Sequence, residues 1–263
     1  IAGNESAINV VLNFIRDRFK LNKELEAFWA DSKEAPFRKM RVKVKKEIVS
    51  LGRPDVLPHR LSGKHVDVKQ WNKLISNPDV LVIDTRNQYE IEVGTFPGAV
   101  NPENNSFREF GDFAKKLAEE DTNRQLAMFC TGGIRCEKAS SYLLEQGFNE
   151  VFHLKGGILN YLKKVPEAQS SWTGECFLFD RRVGVTYGVK KGEAELCFSC
   201  SFPISSDDRL SEHYREGVCC ARCYDRWTIE QLAGFAERHH QMQLAKSRNK
   251  KHLGQKISKN HES

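Results

Sequence analysis

Hydrophobic positions fall into three regimes along the chain. At the start, Ile8, Val11, Leu12, Ile15 and Phe19 recur at helical spacing, which predicts a helix over residues 1–20 capped by Asn4 or Ser6. Next, RKMRVKVKKEIVSLG (Arg38–Gly52) alternates apolar Met40, Val42 and Val44 with basic Arg41, Lys43 and Lys45, the pattern of a half-buried strand with a positive outer face. Helix followed by strand reads as part of a small α+β domain over residues 1–52 that lacks its first strand. GRPDVLPHRLSG, rich in turn formers, reads as a linker over 53–64.

From Val66 the regime changes. VLVID (Val80–Asp84) and QLAMFC (Gln125–Cys130) are continuous apolar runs, as in parallel strands buried on both faces. A further strand is expected near 99–101, and another in NEVFHL before a glycine turn. Between them, VDVKQWNKLIS, FREFGDFAKKLAEE, EKASSYLLEQGF and GILNYLKKV read as helices. Alternation of this kind predicts an α/β domain over residues 65–168, a parallel sheet with helices on both faces. WTGECFLFDRRVGVTYGV reads as a strand-rich extension opening a segment, 169–235, that goes on to a cysteine-rich stretch. A helix is expected from about residue 228. Residues 236–263, which include SRNKKHLGQKISKN, are read as a basic, apolar-poor, disordered tail.

Composition narrows the classes. The 263 residues are 40% hydrophobic, enough for a packed core, and carry a net charge of +6. The charge gathers in the 38–46 strand and in the tail, where Lys246, Arg248, Lys250, Lys251, Lys256 and Lys259 stand without an acidic residue. RNA phosphate is the expected partner of such segments, with a solvated or solubilising surface as the plainer alternative. No signal peptide and no apolar run of membrane-spanning length is present, so the cytoplasm, with reduced cysteines, is the expected compartment. The chain opens at Ile1 rather than Met, and a piece upstream is expected.

Eight cysteines are present. Cys197, Cys200, Cys220 and Cys223 form two C-x-x-C pairs separated by 19 residues, a spacing that suits a structural tetrahedral zinc ion. Cys219 and His213 lie close enough in sequence to compete as ligands. Cys176 reads as core. Cys130 differs from all of these, since it ends a buried strand and is followed by Thr131, Gly132, Gly133, Ile134 and Arg135 before a helix. Backbone N–H groups and a helix N-terminus favour an anion in such a loop, and the same field lowers a thiol pKa. A reactive cysteine with Arg135 steadying charge is the expected reading, and an inert packed cysteine is the alternative. Cys136 either resolves an oxidised Cys130 or packs. Asp84 reads as a cap and internal ion pair, Arg86 and Lys138 as candidate contacts to substrate or phosphate, and Glu90 as structural.

DTRNQYE, GTFPGAVN, CTGGIRCEKAS and HLKGGI, in this order, resemble a rhodanese domain. The six residues from Cys130 to Arg135 resemble the sulfurtransferase loop; the related phosphatases carry one residue more. With NPENNSFREF, GECFLFDRRV and LCFSC…CARCYD, the resemblance narrows to the rhodanese-domain tRNA uridine hydroxylase family and extends over nearly the whole chain. It implies a ferredoxin-like domain before the rhodanese domain and a cysteine-rich segment after it. The implied activity is hydroxylation of the tRNA wobble uridine at carbon 5 with molecular oxygen, with Cys130 essential. The chain departs from the pattern at Thr95, where rhodaneses place His, and at Cys219 and Ala221. No flavin or haem motif is seen. Sulfur transfer through a Cys130 persulfide and a non-catalytic RNA-binding role are the alternatives.

Overall fold

The computed structural model describes residues 1–21, 25, 27–32, 35–37 and 42–249. These residues form two compact units, 1–192 and 193 onward.

The first unit is built on a parallel sheet. Strands β1 (Lys64–Val66), β2 (Val80–Asp84), β4 (Gln125–Phe129) and β5 (Val151–Leu154) lie in the order β1-β5-β4-β2. The strand expected near 99–101 is a single parallel bridge, Val100 to Ile83, on the open edge of β2. Period-two alternation along β4 sends Ala127 and Phe129 into one core and Leu126 and Met128 into the other. Both faces are therefore buried, and the strand sequence reads as an unbroken apolar run.

Helices α2 (Val68–Ile75) and α6 (Gly157–Lys164) cover the first face. Asp67 caps α2 by accepting a hydrogen bond from the Lys69 N–H. On this face Phe96 sits edge-on to Phe129, Tyr161 and Trp172, with ring centroids 4.9, 4.9 and 5.1 Å away. Helices α4 (Phe110–Glu120) and α5 (Ile134–Glu145) cover the second face through Phe110, Ala114, Ala139, Tyr142 and Leu143. Helix α3 (Gln88–Ile91) and strand β3 (Gly94–Thr95) follow β2.

The extension after Val165 belongs to this unit. Strand β6 (Thr173–Gly174) pairs with β3, and β7 (Cys176–Phe177) pairs with β8 (Gly184–Val185). Trp172, Cys176, Leu178 and Val185 are buried in the first core, so the boundary between the two units falls after Gly192, inside the expected 169–235 segment. Leu51 and Val56 enter the second core, which fixes the start of the stretch read as a linker.

Among the described residues, 1–52 hold one helix, α1 (Glu5–Phe19), capped by the Asn4 side chain as expected. The half-buried strand expected over 38–46 is not seen in its described part. Residues 42–46 have no regular structure, and Val42 and Val44 are fully or nearly fully solvated. The alternation is there, but a strand needs a ladder partner, and among the described residues none pairs with this segment. Residues 38–41, and the basic tail from 250, lie outside the described residues.

The second unit carries a short hairpin, β9 (Glu195–Leu196) with β10 (Pro203–Ile204), and helix α7 (Ile229–Ser247), so residues 236–247 of the expected disordered tail are helical. Thr228 and Gln231 form a capping box that starts α7 at the expected place. No helix among the described residues is long and apolar enough to cross a membrane.

Candidate active site and metal centre

Cys130 leaves the end of β4 and sits in the turn that opens α5. Gly133 adopts φ 92° at the helix N-cap, a conformation that costs little only without a Cβ, and its N–H donates to the Cys130 Sγ at 3.1 Å. From behind, the Gly156–Gly157 turn supports the loop. Ile158 and Leu159 donate backbone hydrogen bonds to the carbonyls of Cys130 and Thr131 at 3.0 and 3.1 Å. Gly157 lies so close that a Cβ there would run into those two carbonyls, which is why HLKGGI has glycine at this point.

The electrostatics favour a thiolate. Burial alone would raise the Cys130 pKa. A hydrogen bond from the Cys136 thiol, the Arg135 charge and the backbone N–H groups of Cys136 and Arg135 outweigh it and bring the thiol down to about 6. Cys136 moves the opposite way, raised by burial and by the neighbouring Cys130 charge. Of the two thiols, Cys130 is therefore the one whose ionised form is favoured. Cys130 is 2% exposed, while Gly132 faces solvent with open space where a side chain would stand. Ile134, next along the loop, is 57% exposed.

Arg135 does not project freely from the loop. Its two terminal nitrogens meet the Glu90 carboxylate at 2.6 and 2.7 Å, and one also reaches the Thr131 hydroxyl at 3.2 Å. Glu90 is wholly buried and accepts the Asn87 N–H as well. This bidentate pair ties the loop to α3, so Arg135 braces Cys130 and lends it charge from a fixed position. Glu90→Gln, which leaves the guanidinium without its counter-charge, is expected to cost about 3–5 kcal/mol. Urea unfolding should show the loss as a lower midpoint at unchanged slope.

Two expected contact residues lie elsewhere. Arg86 is wholly buried: it pairs with Asp84 at 2.6 and 2.9 Å, donates to the carbonyls of Gly94 and Glu90, and stacks 5.2 Å from the Trp172 ring. It knits β2 to the β3–β6 extension and does not face a substrate. Lys138, on the first turns of α5, turns inward to Glu47 at 2.5 Å, both side chains nearly buried. In each case the sequence shows a cation near the loop, but an acid claims it, Asp84 two residues before Arg86 and Glu47 far from Lys138 in sequence. Cys176 is core as expected, its thiol raised to about 12 by burial.

In the second unit the sulfurs of Cys197, Cys200, Cys220 and Cys223 all lie within 4.8 Å of one another. Three of the separations are 3.7–3.8 Å. A tetrahedral zinc ion with bonds of about 2.3 Å requires sulfurs about 3.8 Å apart. The hairpin turn presents Cys197 and Cys200, and a second turn, where the Cys223 N–H donates to the Cys220 carbonyl, presents the other two. Cys219 points away, its thiol towards the His213 carbonyl, and the His213 ring stacks on Tyr224 at 3.7 Å. Neither competes for the cluster. The four thiols can hold a metal ion.

Residues 67–164 match the family model of the rhodanese-like domain. Curated relatives named tRNA uridine(34) hydroxylase align along nearly the full chain. The protein from Agrobacterium fabrum is 48% identical over 97% of this chain and 81% of its own length. That from Picosynechococcus sp. is 47% identical over 94% and 83%. That from Acaryochloris marina is 48% identical over 98% and 83%.

Proposed function

The chain belongs to the tRNA uridine(34) hydroxylase family, and on that premise we propose that it hydroxylates the wobble uridine of tRNA at carbon 5 with molecular oxygen, using the Cys130 thiolate. The observation that carries this reading is a thiol held near pKa 6 at a helix N-terminus, braced by a buried arginine–glutamate pair.

In this reading the uracil ring enters over Gly132, the loop residue without a side chain that is open to solvent. The Cys130 thiolate adds to carbon 6, which makes carbon 5 electron-rich towards oxygen; one oxygen atom stays on carbon 5 as the hydroxyl, an external two-electron donor reduces the other to water, and loss of the carbon 5 proton expels the thiolate from carbon 6. The backbone N–H groups at the start of α5 hold the sulfur until it adds. Thr131, Gly132, Gly133 and Ile134 form the wall of the anionic site, and Arg135 is a positioning residue. Exposed Lys43, Lys45 and Lys46 suit contact with tRNA phosphates. Zinc is the ion proposed for the four-cysteine cluster, in a structural role, since four thiolates leave no open position. The cytoplasm, where charged tRNA pools reside, is the proposed compartment.

Nucleoside mass spectrometry of tRNA from cells lacking this protein tests the reading. The expected result is loss of 5-hydroxyuridine-type nucleosides at position 34, restored by wild type and not by Cys130→Ser. Loss of a thiolated nucleoside in its place would make the chemistry sulfur transfer.

A further inference from the structure

The geometry points to a second metal site, distinct from the four-cysteine cluster, in which His65, Glu137 and His153 bind a divalent transition-metal ion beside the cysteine loop. His65 on β1 and His153 on β5 are direct partners in the parallel register, so the backbone ladder sets their rings side by side, centroids 4.2 Å apart. Glu137, in the first turn of α5, reaches over both. Its carboxylate lies 2.8 Å from the His65 Nε2 and 3.9 Å from the His153 Nε2. No two of the three donor atoms are farther apart than 4.8 Å.

Ligands bonded to such an ion at about 2.0–2.2 Å stand about 3.3 Å from one another, and the two observed separations bracket that value. The donor set is two imidazoles and one carboxylate, borderline in softness and selective for zinc-like and iron-like divalent ions over calcium or magnesium. Three protein ligands leave a coordination position open. A cavity of about 220 Å³ adjoins them, its wall shared by the three ligands and by Gly132, Gly133 and Ile134 of the cysteine loop. The Ser62 hydroxyl donates to the Glu137 carboxylate at 2.8 Å, the kind of outer contact that orients a metal ligand. The His153 Nε2 also lies 3.2 Å from the Gly63 carbonyl, a contact that a bound ion would replace. The site stands whether or not the hydroxylase reading does, because it rests on cross-strand register and side-chain geometry alone.

The test uses the full chain loaded with one equivalent of zinc to fill the cysteine cluster, then titrated with Co2+. The expected result is one further equivalent of saturable cobalt absorption with weak d–d bands and no thiolate-to-cobalt charge transfer. His65→Ala and Glu137→Gln should each weaken that binding by at least about tenfold. His65 is half exposed, so its variant is expected to fold, and an unchanged far-ultraviolet dichroism spectrum confirms it. Cobalt bands of thiolate type only, an absence of saturable binding, or an affinity unaltered in His65→Ala in each case overturns the proposal.

Discussion

Cys130→Ser is expected to leave the protein folded and to cut hydroxylation to below about one-thousandth of the wild-type rate. The substitution is nearly isosteric and keeps the hydrogen bond from Gly133, so structure should survive. What is lost is the nucleophile. A thiol with pKa near 6 is about nine-tenths thiolate at pH 7, whereas an ordinary thiol is only a few per cent ionised and a serine hydroxyl not measurably so. The sign of the pH dependence follows from the lowered pKa. Thiolate is present above about pH 6 and is protonated as pH falls through that value, so alkylation of Cys130 should be flat from pH 7 upward and fall about tenfold per pH unit below 6. Cys136, raised by burial and by its neighbour's charge, should remain unmodified throughout. Peptide mass spectrometry after timed iodoacetamide treatment separates the two. A Cys130 that alkylates with an inflection near pH 9 would show that the loop does not stabilise the thiolate.

Removing the ion from the four-cysteine cluster should unfold the second unit while the first stays folded. Of the six buried residues in the second unit's core, three belong to the four-cysteine cluster: Cys197, Cys220 and Cys223. Beyond the cysteines it buries Ile204 and Val218, with Tyr214, Trp227, Leu232 and Phe235 only partly buried against them, a small core that is not expected to offset chain entropy without the metal. Four sulfurs drawn together without a cation are also unfavourable, and burial pushes the Cys220 thiol up to about 11. Structural zinc at such a site contributes on the order of 10–16 kcal/mol of binding free energy that is at the same time folding free energy. Cys197→Ser, or a strong chelator, is expected to make residues 193–249 sensitive to limited proteolysis while 1–192 resists it. Equal protection of both units in the variant would mean that the hairpin and α7 suffice alone.

These two centres, the Cys130 loop and the cysteine cluster, were the parts of the protein most legible in the sequence. Each is carried by local spacing. Strand, glycines, arginine and helix follow within a dozen residues of Cys130, and each C-x-x-C pair is set by one turn. The parallel sheet was legible for a similar reason, since burial of both faces turns a strand into an unbroken apolar run. The basic alternation over 38–46 misled because pattern records which faces differ, not whether a neighbour exists to pair with; its described part stands solvated.

The chain's sequence thus determined the strands and helices of the parallel sheet, the glycine loop after Cys130 and the two C-x-x-C turns. Only the tertiary structure decided which charge meets which. Arg135 found Glu90, 45 residues away, and Lys138 found Glu47, 91 away, while Arg86 was drawn wholly inside. His65 and His153, 88 residues apart in sequence, became neighbours through strand register alone. Periodicity and spacing report on the backbone over a few turns. A buried ion must find its partner wherever the fold brings one, because an unpaired charge in the interior costs several kcal/mol, and that search runs over the whole chain.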